Sequence, residues 1–252
     1  MTLPGSQRTL PRMCLEPDAA WEAARRFASE LASKARNEIN AVYVVGSLAE
    51  GAFQPQHSGI DVTSVFRGRV VGHDLELAVA GTRSTMGADL ARRIRCVMLC
   101  EENLTPPYPP EREVLPEVMR VQDEGVLVVG DDIRDRIVRP SRDEVIAYIR
   151  HVDRVVRDSI LTGDDSELPP PRELFSLAVT ACRHYIFVRD HLWIWTKRDV
   201  LLAFCMGHEE HPSTPVVREL ARDNGMTAAG AGSQLGRRVT DLWRVIHREI
   251  AA

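Results

Sequence analysis

Lysine is almost missing from this chain. Of its 32 basic residues only Lys34 and Lys197 are lysine, which leaves 30 arginines (32 − 2). Such a bias fits a GC-rich coding sequence, and it makes Lys197 more than one surface lysine among many. A basic excess is missing as well. The net charge of −4 and the pI near 6.1 argue against general binding to nucleic acid or anionic membranes, which needs a surplus of cations. No apolar run approaches the roughly 20 residues that span a bilayer, and Met1 to Leu15 holds no signal-peptide hydrophobic core. The five cysteines, Cys14, Cys96, Cys100, Cys182 and Cys205, are odd in number and scattered. That spacing suits reduced thiols better than a disulfide framework. These absences imply a cytoplasmic protein with neither a membrane nor a nucleic acid as partner. No segment repeats at a fixed period.

What is present suits a soluble globular chain: 252 residues, 44% hydrophobic and 27% charged, enough for one large domain or two modest ones. Met1 to Pro17 reads as a lead-in. Apolar residues from Ala19 to Ala32 recur at helical spacing behind Asp18, a candidate N-cap. Ala41 to Val45 and Ile60 to Phe66 read as strands, and Arg95 to Cys100 as a third. Asp74 to Ala80 alternates like a half-buried strand and equally opens a helix toward Arg93. Prolines at 106, 107, 109, 110 and 116 make Thr105 to Pro116 a loop or edge excursion, and Val126 to Asp132 reads as a short strand ending in a turn. After Pro140 the pattern turns helical. Ser141 and Glu144 form a capping box, Gly163 to Pro171 is a linker, and helices are expected over 172–191, 196–204, 215–224 and 234–250. The domain reading is an α/β unit over 1–139 and a helical bundle over 140–252.

The chemistry concentrates in Tyr43-Val44-Val45-Gly46-Ser47, followed by Ser58-Gly59-Ile60-Asp61. A small-residue turn between a strand and a helix lets backbone N–H groups approach a phosphate. A carboxylate at the start of the next strand could hold a divalent metal against it. Gly46, Ser47, Gly51, Pro55, Ser58 and Asp61 match the first motif of the antibiotic nucleotidyltransferases. Leu177 to Arg183 resembles that family's helix ending in a phosphate-binding arginine, and Thr196-Lys197-Arg198-Asp199-Val200 resembles the start of its next helix. With domain order and length also agreeing, the chain resembles the aminoglycoside 3″- and 9-adenylyltransferases of the polymerase-β-like superfamily. The fold class this implies is α+β: a mixed-sheet nucleotidyltransferase domain followed by an all-helical domain.

The resemblance implies ATP and Mg²⁺ as cofactors and a small-molecule acceptor, such as an aminoglycoside, whose hydroxyl attacks the α-phosphorus. Residue by residue it assigns Gly46 and Ser47 to the β- and γ-phosphates and Ser58 to support of the turn. Asp61 becomes metal ligand and catalytic residue, and Arg183 and Lys197 contacts to the triphosphate. Glu173 occupies a substrate-facing position. Two family carboxylates are replaced: Gly59 stands where the first aspartate belongs, and Arg95 where a third acid is expected. Glu76, in a stretch locally resembling the base-bearing strand, is one candidate replacement; Glu101 and Glu102 are another. Two functions therefore follow as expectations. One is transfer of a nucleoside monophosphate from ATP to a small polar natural product. The alternative is a catalytically silent or repurposed homologue that binds a small molecule or serves natural-product biosynthesis by other chemistry. Cys205, His208 and His211 at three-residue intervals superficially resemble a metal site, but read as a helix end with surface histidines. Trp193, Trp195, Tyr185 and Phe187 read as core of the helical domain.

Overall fold

A computed structural model describes residues 15–35, 38–55, 58–68, 73–110, 114–158, 171–223 and 232–251. The expected lead-in before Leu15 and the expected linker from Gly163 up to Pro171 lie outside the described residues. The described chain divides into two compact units. One comprises Met1–Pro106 with Pro116–Arg139, the other Pro107–Leu115 with Pro140–Ala252.

The first unit is built on a four-stranded mixed sheet of β1 (Ile39–Val45), β2 (Ile60–Phe66), β3 (Ile94–Cys100) and β4 (Val126–Gly130), in the order β3-β2-β1-β4. β1 runs antiparallel to both β2 and β4, and β2 runs parallel to β3. Side chains alternate across the pleat, so Val42, Val44, Ile60, Val62 and Phe66 line one face. Against them α1 (Pro17–Ala35) packs Ala20, Ala24, Phe27, Ala28 and Leu31. Asp61, Thr63 and Arg95 point to the other face, because Asp61 and Arg95 are register partners.

Asp74 to Ala80 is helical rather than extended: α2 (His73–Thr85) is followed by α3 (Ala88–Arg93). The period of 3.6 wins because it brings Ala78, Val79, Thr82 and Met86 to the protein interior, with Ala78, Val79 and Met86 in the α1 core. The proline-rich excursion ends sooner than expected, in α4 (Val114–Glu124). Pro116 stands in its first turn, where a missing backbone N–H costs no helical hydrogen bond.

In the second unit α5 (Arg142–Val156) starts at Ser141. Ser141 Oγ accepts from Glu144 N at 3.3 Å, and Glu144 Oε2 accepts from Ser141 N at 2.9 Å. α6 (Pro171–Asp190), α7 (Lys197–Gly207), α8 (Thr214–Asp223) and α9 (Gly232–Ala251) follow. Ala178, Cys182, Ile186, Phe204, Leu242, Trp243 and Ile246 lie in one core among them. Glu144 Oε1 also accepts from Tyr108 N at 3.3 Å, which ties the 107–115 segment to this unit. Among the described residues no helix is long and apolar enough to cross a membrane.

Candidate functional site

The chain leaves β1 through a single 3₁₀ turn, Gly46–Leu48. Gly46 has a φ of +70°, and a Cβ there would lie 2.8 Å from Asp61 Oδ2. Two requirements, left-handed backbone and a carboxylate packed against the α-carbon, therefore converge on glycine. Glu50 N donates to Gly46 O at 2.9 Å and Ala52 N to Ser47 O at 2.8 Å, closing the turn on itself. Ser58 braces the following loop, accepting from Gln54 N through Oγ at 2.9 Å and donating its own N–H to Gln54 O at 2.8 Å. Arg93 fastens the loop by donating to Pro55 O at 2.6 Å.

The turn's first amide is already engaged. Gly46 N donates to Glu124 Oε1 at 2.9 Å. Glu124 belongs to a polar stripe of α4, Glu117-Arg120-Glu124, whose spacing of three and four puts the side chains on one helix face. Arg120 Nε lies 3.3 Å from Glu124 Oε1, and Arg120 Nη1 lies 3.5 Å from Glu117 Oε1. Buried Glu117 accepts from Thr63 Oγ1 at 3.2 Å and pairs with Arg95 Nη2 at 3.8 Å. Burial pushes the Glu117 carboxyl up, with Arg120 and Arg95 opposing and the nearby Asp61 charge adding to the rise. Burial, then the adjacent Glu50 carboxyl, push Glu124 up to about 8. Glu50, Asp61, Glu117 and Glu124 thus gather around Gly46 with Arg95 and Arg120 among them.

A pair of divalent metals in a phosphoryl-transfer site needs several carboxylate oxygens free to bridge. The residues here do not fit that set. Gly59 offers no side chain and precedes the first residue of β2; a Cβ on it would meet Arg93 O at 3.1 Å. Beside Asp61, on the neighbouring strand, stands a guanidinium, and Glu117 is engaged by Thr63 and two arginines. Among the described residues no three His, Cys, Asp or Glu side chains are placed to hold a metal ion.

The replacement carboxylates proposed from sequence lie elsewhere. Glu76 is on the exposed side of α2, 3.4 Å from His73, so the base-bearing strand implied there is a helix. Glu101 closes the other end of β3, accepting from Asn40 Nδ2 at 2.7 Å and Arg136 Nη2 at 2.9 Å. Six residues of strand separate it from Arg95, about 20 Å. Glu102 is its exposed neighbour.

In the helical unit Arg183 Nε and Nη2 donate to the carbonyls of Ile194 and Trp195, both at 2.7 Å. Its guanidinium lies 5.9 Å from the Trp193 ring centroid and 6.0 Å from that of Trp195. Lys197 opens α7 and donates to Ser176 Oγ at 3.2 Å, with its ammonium 5.8 Å from the Phe175 ring centroid. Glu173 is exposed in the first turn of α6, three residues from Ser176. Lys197 and Glu173 therefore share the neighbourhood of Ser176. His208 pairs with Asp190 at 3.0 Å and His211 with Glu249 at 3.3 Å, which accounts for two members of the Cys205-His208-His211 pattern.

Sequence reasoning missed Glu50, Thr63, Glu117, Arg120 and Glu124. The one local signal was the Glu117-Arg120-Glu124 spacing, masked by the proline cluster just before it. A scan against protein-family models finds no match, and a search of curated proteins finds none either. A solved structure of spectinomycin adenyltransferase AAD(9) from Enterococcus faecialis, with ATP and spectinomycin, superposes with a TM-score of 0.69 over 90% of this chain and 99% of that one, at 11% sequence identity. The chain has an aminoglycoside adenylyltransferase-like fold: a mixed-sheet unit followed by a helical one.

Proposed function

We propose that this chain is a repurposed nucleotidyltransferase-fold protein, binding ATP through its phosphates together with a small polar molecule, without two-metal transfer. The observation that carries this reading is Arg95 in register beside Asp61, where a metal-binding site would need a further acid. The Gly46-Ser47 turn is read as the phosphate contact of the α/β unit. Glu173 is read as the anionic contact for a cationic ligand of aminoglycoside type. A cytoplasmic location belongs to the same reading, in keeping with the free thiols of Cys96, Cys100, Cys182 and Cys205.

The second reading, adenylyl transfer from ATP to a hydroxyl of such a molecule, is favoured by one feature. Asp61 keeps its carboxylate packed against Gly46. Calorimetry with ATP, and mass spectrometry of spectinomycin and an aminoglycoside panel after incubation with ATP and Mg²⁺, separate the two. ATP binding with no nucleotidylated product is the expected result. A product released with pyrophosphate establishes the second reading, and absence of ATP binding removes both. Gly59→Asp alone is expected to leave the protein without transferase activity, because Arg95 still stands beside Asp61.

A further inference from the structure

We infer that Glu50 and Glu124 share one proton beside the Gly46-Ser47 turn, and that phosphate binding at the turn is coupled to that proton. This rests on the reading that the turn binds phosphate, and it adds what regulates that contact.

The two oxygens of Glu124 are placed unequally. Oε1 accepts from Gly46 N at 2.9 Å and lies 3.3 Å from Arg120 Nε. Oε2 is buried and meets no donor among the described residues, in a side chain only 10% exposed. A buried carboxylate oxygen left without a donor is costly. What stands within hydrogen-bonding reach of Glu124 is a second carboxyl, that of Glu50. Two ionised carboxylates offer only acceptors, so their approach requires a proton between them. Carboxyls sharing one site hold that proton as a pair. Burial supports the same state, with Glu124 pushed up to about 8. Of the other charged groups around the turn, Arg120 serves Oε1, Asp61 packs against Gly46, and Arg95 pairs with Glu117. Arg134 donates to Asp132 and to the Gly125 carbonyl. The shared proton removes one negative charge that a phosphate would meet at the turn. It also makes Glu124 Oε1 a weaker acceptor, so a phosphate oxygen competes better for the Gly46 amide. Deprotonation reverses both effects. By linkage, phosphate favours the protonated pair, and its binding takes up a proton where the pair is ionised. Affinity therefore falls as pH rises through the titration of the pair.

Two measurements on the full chain test this. The first needs no ligand: carbon-13 NMR of the glutamate carboxyls followed across pH. Glu124 is expected to titrate well above the ordinary carboxyl range. Glu50→Gln, whose amide supplies the missing donor, is expected to bring it back down toward that range. Glu50 and Glu124 both titrating near the ordinary value of about 4.5 in the wild type overturns the inference, whatever ATP does. The second is calorimetry with ATP above about pH 8, where its phosphates have no proton left to lose. Heats in buffers of differing ionisation enthalpy are expected to show uptake of up to one proton. Affinity is expected to fall about fivefold or more between roughly pH 7 and 9.5, the lower end of usual coupling between sites. Glu124→Gln keeps the acceptor for Gly46 N and is expected to abolish the uptake and flatten the pH dependence. ATP binding independent of buffer and pH, or proton uptake that survives Glu124→Gln, defeats the coupling and leaves nucleotide binding intact. No ATP binding at any pH, with Glu124 still titrating high, overturns the phosphate reading, and the coupling falls with it.

Discussion

The two units bury ionisable side chains of opposite kinds. Beneath the Gly-Ser turn of the α/β unit the buried groups are acids: Glu117 pushed up chiefly by burial, and Glu124 up to about 8. In the helical unit they are bases. Burial holds His184 well below the usual imidazole range and lowers His247 to about 4, against the opposing charge of Asp153. The physical cause is the same in both places, since a low-dielectric interior disfavours whichever form is charged. The consequences are opposite: burial favours the protonated form of the acids and the deprotonated form of the bases. Their surroundings differ as well. Glu117 and Glu124 are met by arginines and by backbone or hydroxyl donors. The His247 ring stacks on Trp243 at a centroid distance of 4.3 Å, and His184 Nδ1 and His247 Nε2 have no hydrogen-bond partner among the described residues. One cluster is arranged around a turn that could admit a ligand, the other around packing.

The largest expected effect breaks the helical side of this contrast. Asp153 Oδ1 accepts from Trp243 Nε1 at 3.1 Å and lies 3.2 Å from His247 Nδ1. Asp153→Ala leaves both groups buried without that acceptor and should cost about 3 kcal/mol, read by urea denaturation with tryptophan fluorescence. Three of the four tryptophans, Trp193, Trp195 and Trp243, belong to the helical unit, so the signal reports mainly there. A loss below about 0.5 kcal/mol would mean that water replaces the carboxylate and that the cluster is wetter than its burial indicates.

Gly46→Ala breaks the other side. An alanine must adopt the left-handed backbone and push its Cβ against Asp61 Oδ2. The α/β unit should lose about 2 kcal/mol, measured as faster hydrogen exchange in β1 and β2. Unchanged exchange would show that the turn relaxes freely, and the glycine would then not be demanded by Asp61.

The smallest effect sharpens the contrast through pH. Between about 4.5, the ordinary carboxyl value, and about 8, the folded state holds a proton on Glu124 that the unfolded state has released. Stability of the α/β unit should therefore fall as pH rises through that window. His247 acts in the reverse sense. Between about 4 and 6.5 the unfolded state binds a proton that the folded state does not, so stability of the helical unit falls as pH drops through that range. Unit-resolved hydrogen exchange, corrected for intrinsic rates, should show the two trends with opposite slopes. Glu124→Gln should flatten only the first, with a change in unfolding midpoint of roughly 2–4 °C between pH 5 and pH 8. Parallel slopes would remove the comparison.

How much of this could be read beforehand varies by element. β2 was legible because Ile60 to Phe66 is rich in β-branched residues and ends on an aromatic one. α5 was legible because Ser141 and Glu144 form their capping box locally, within four residues. α4 was not, because the prolines before Val114 argue against helix and only Pro116 enters its first turn. Asp74 to Ala80 stayed ambiguous because four alternating residues suit either period until burial of Val79, Thr82 and Met86 selects one. The candidate site divides the same way. Gly46, Ser47 and Asp61 lie within 16 positions and carry a recognisable pattern. The Gly46–Glu124 and Thr63–Glu117 bonds span 78 and 54 positions, and no local pattern encodes them.

The sequence by itself determined the periodicities, the caps, the small-residue turn at Gly46, and the absence of a side chain at Gly59. Those depend on residues a few positions apart, whose backbone and solvation preferences act before any fold exists. Only the tertiary structure decided which charges meet. It brought Arg95 alongside Asp61 by pairing β3 with β2, and swung the acids of α4 under the turn. Charge pairing depends on distance and burial, and both come into being only when the sheet and its covering helix are assembled.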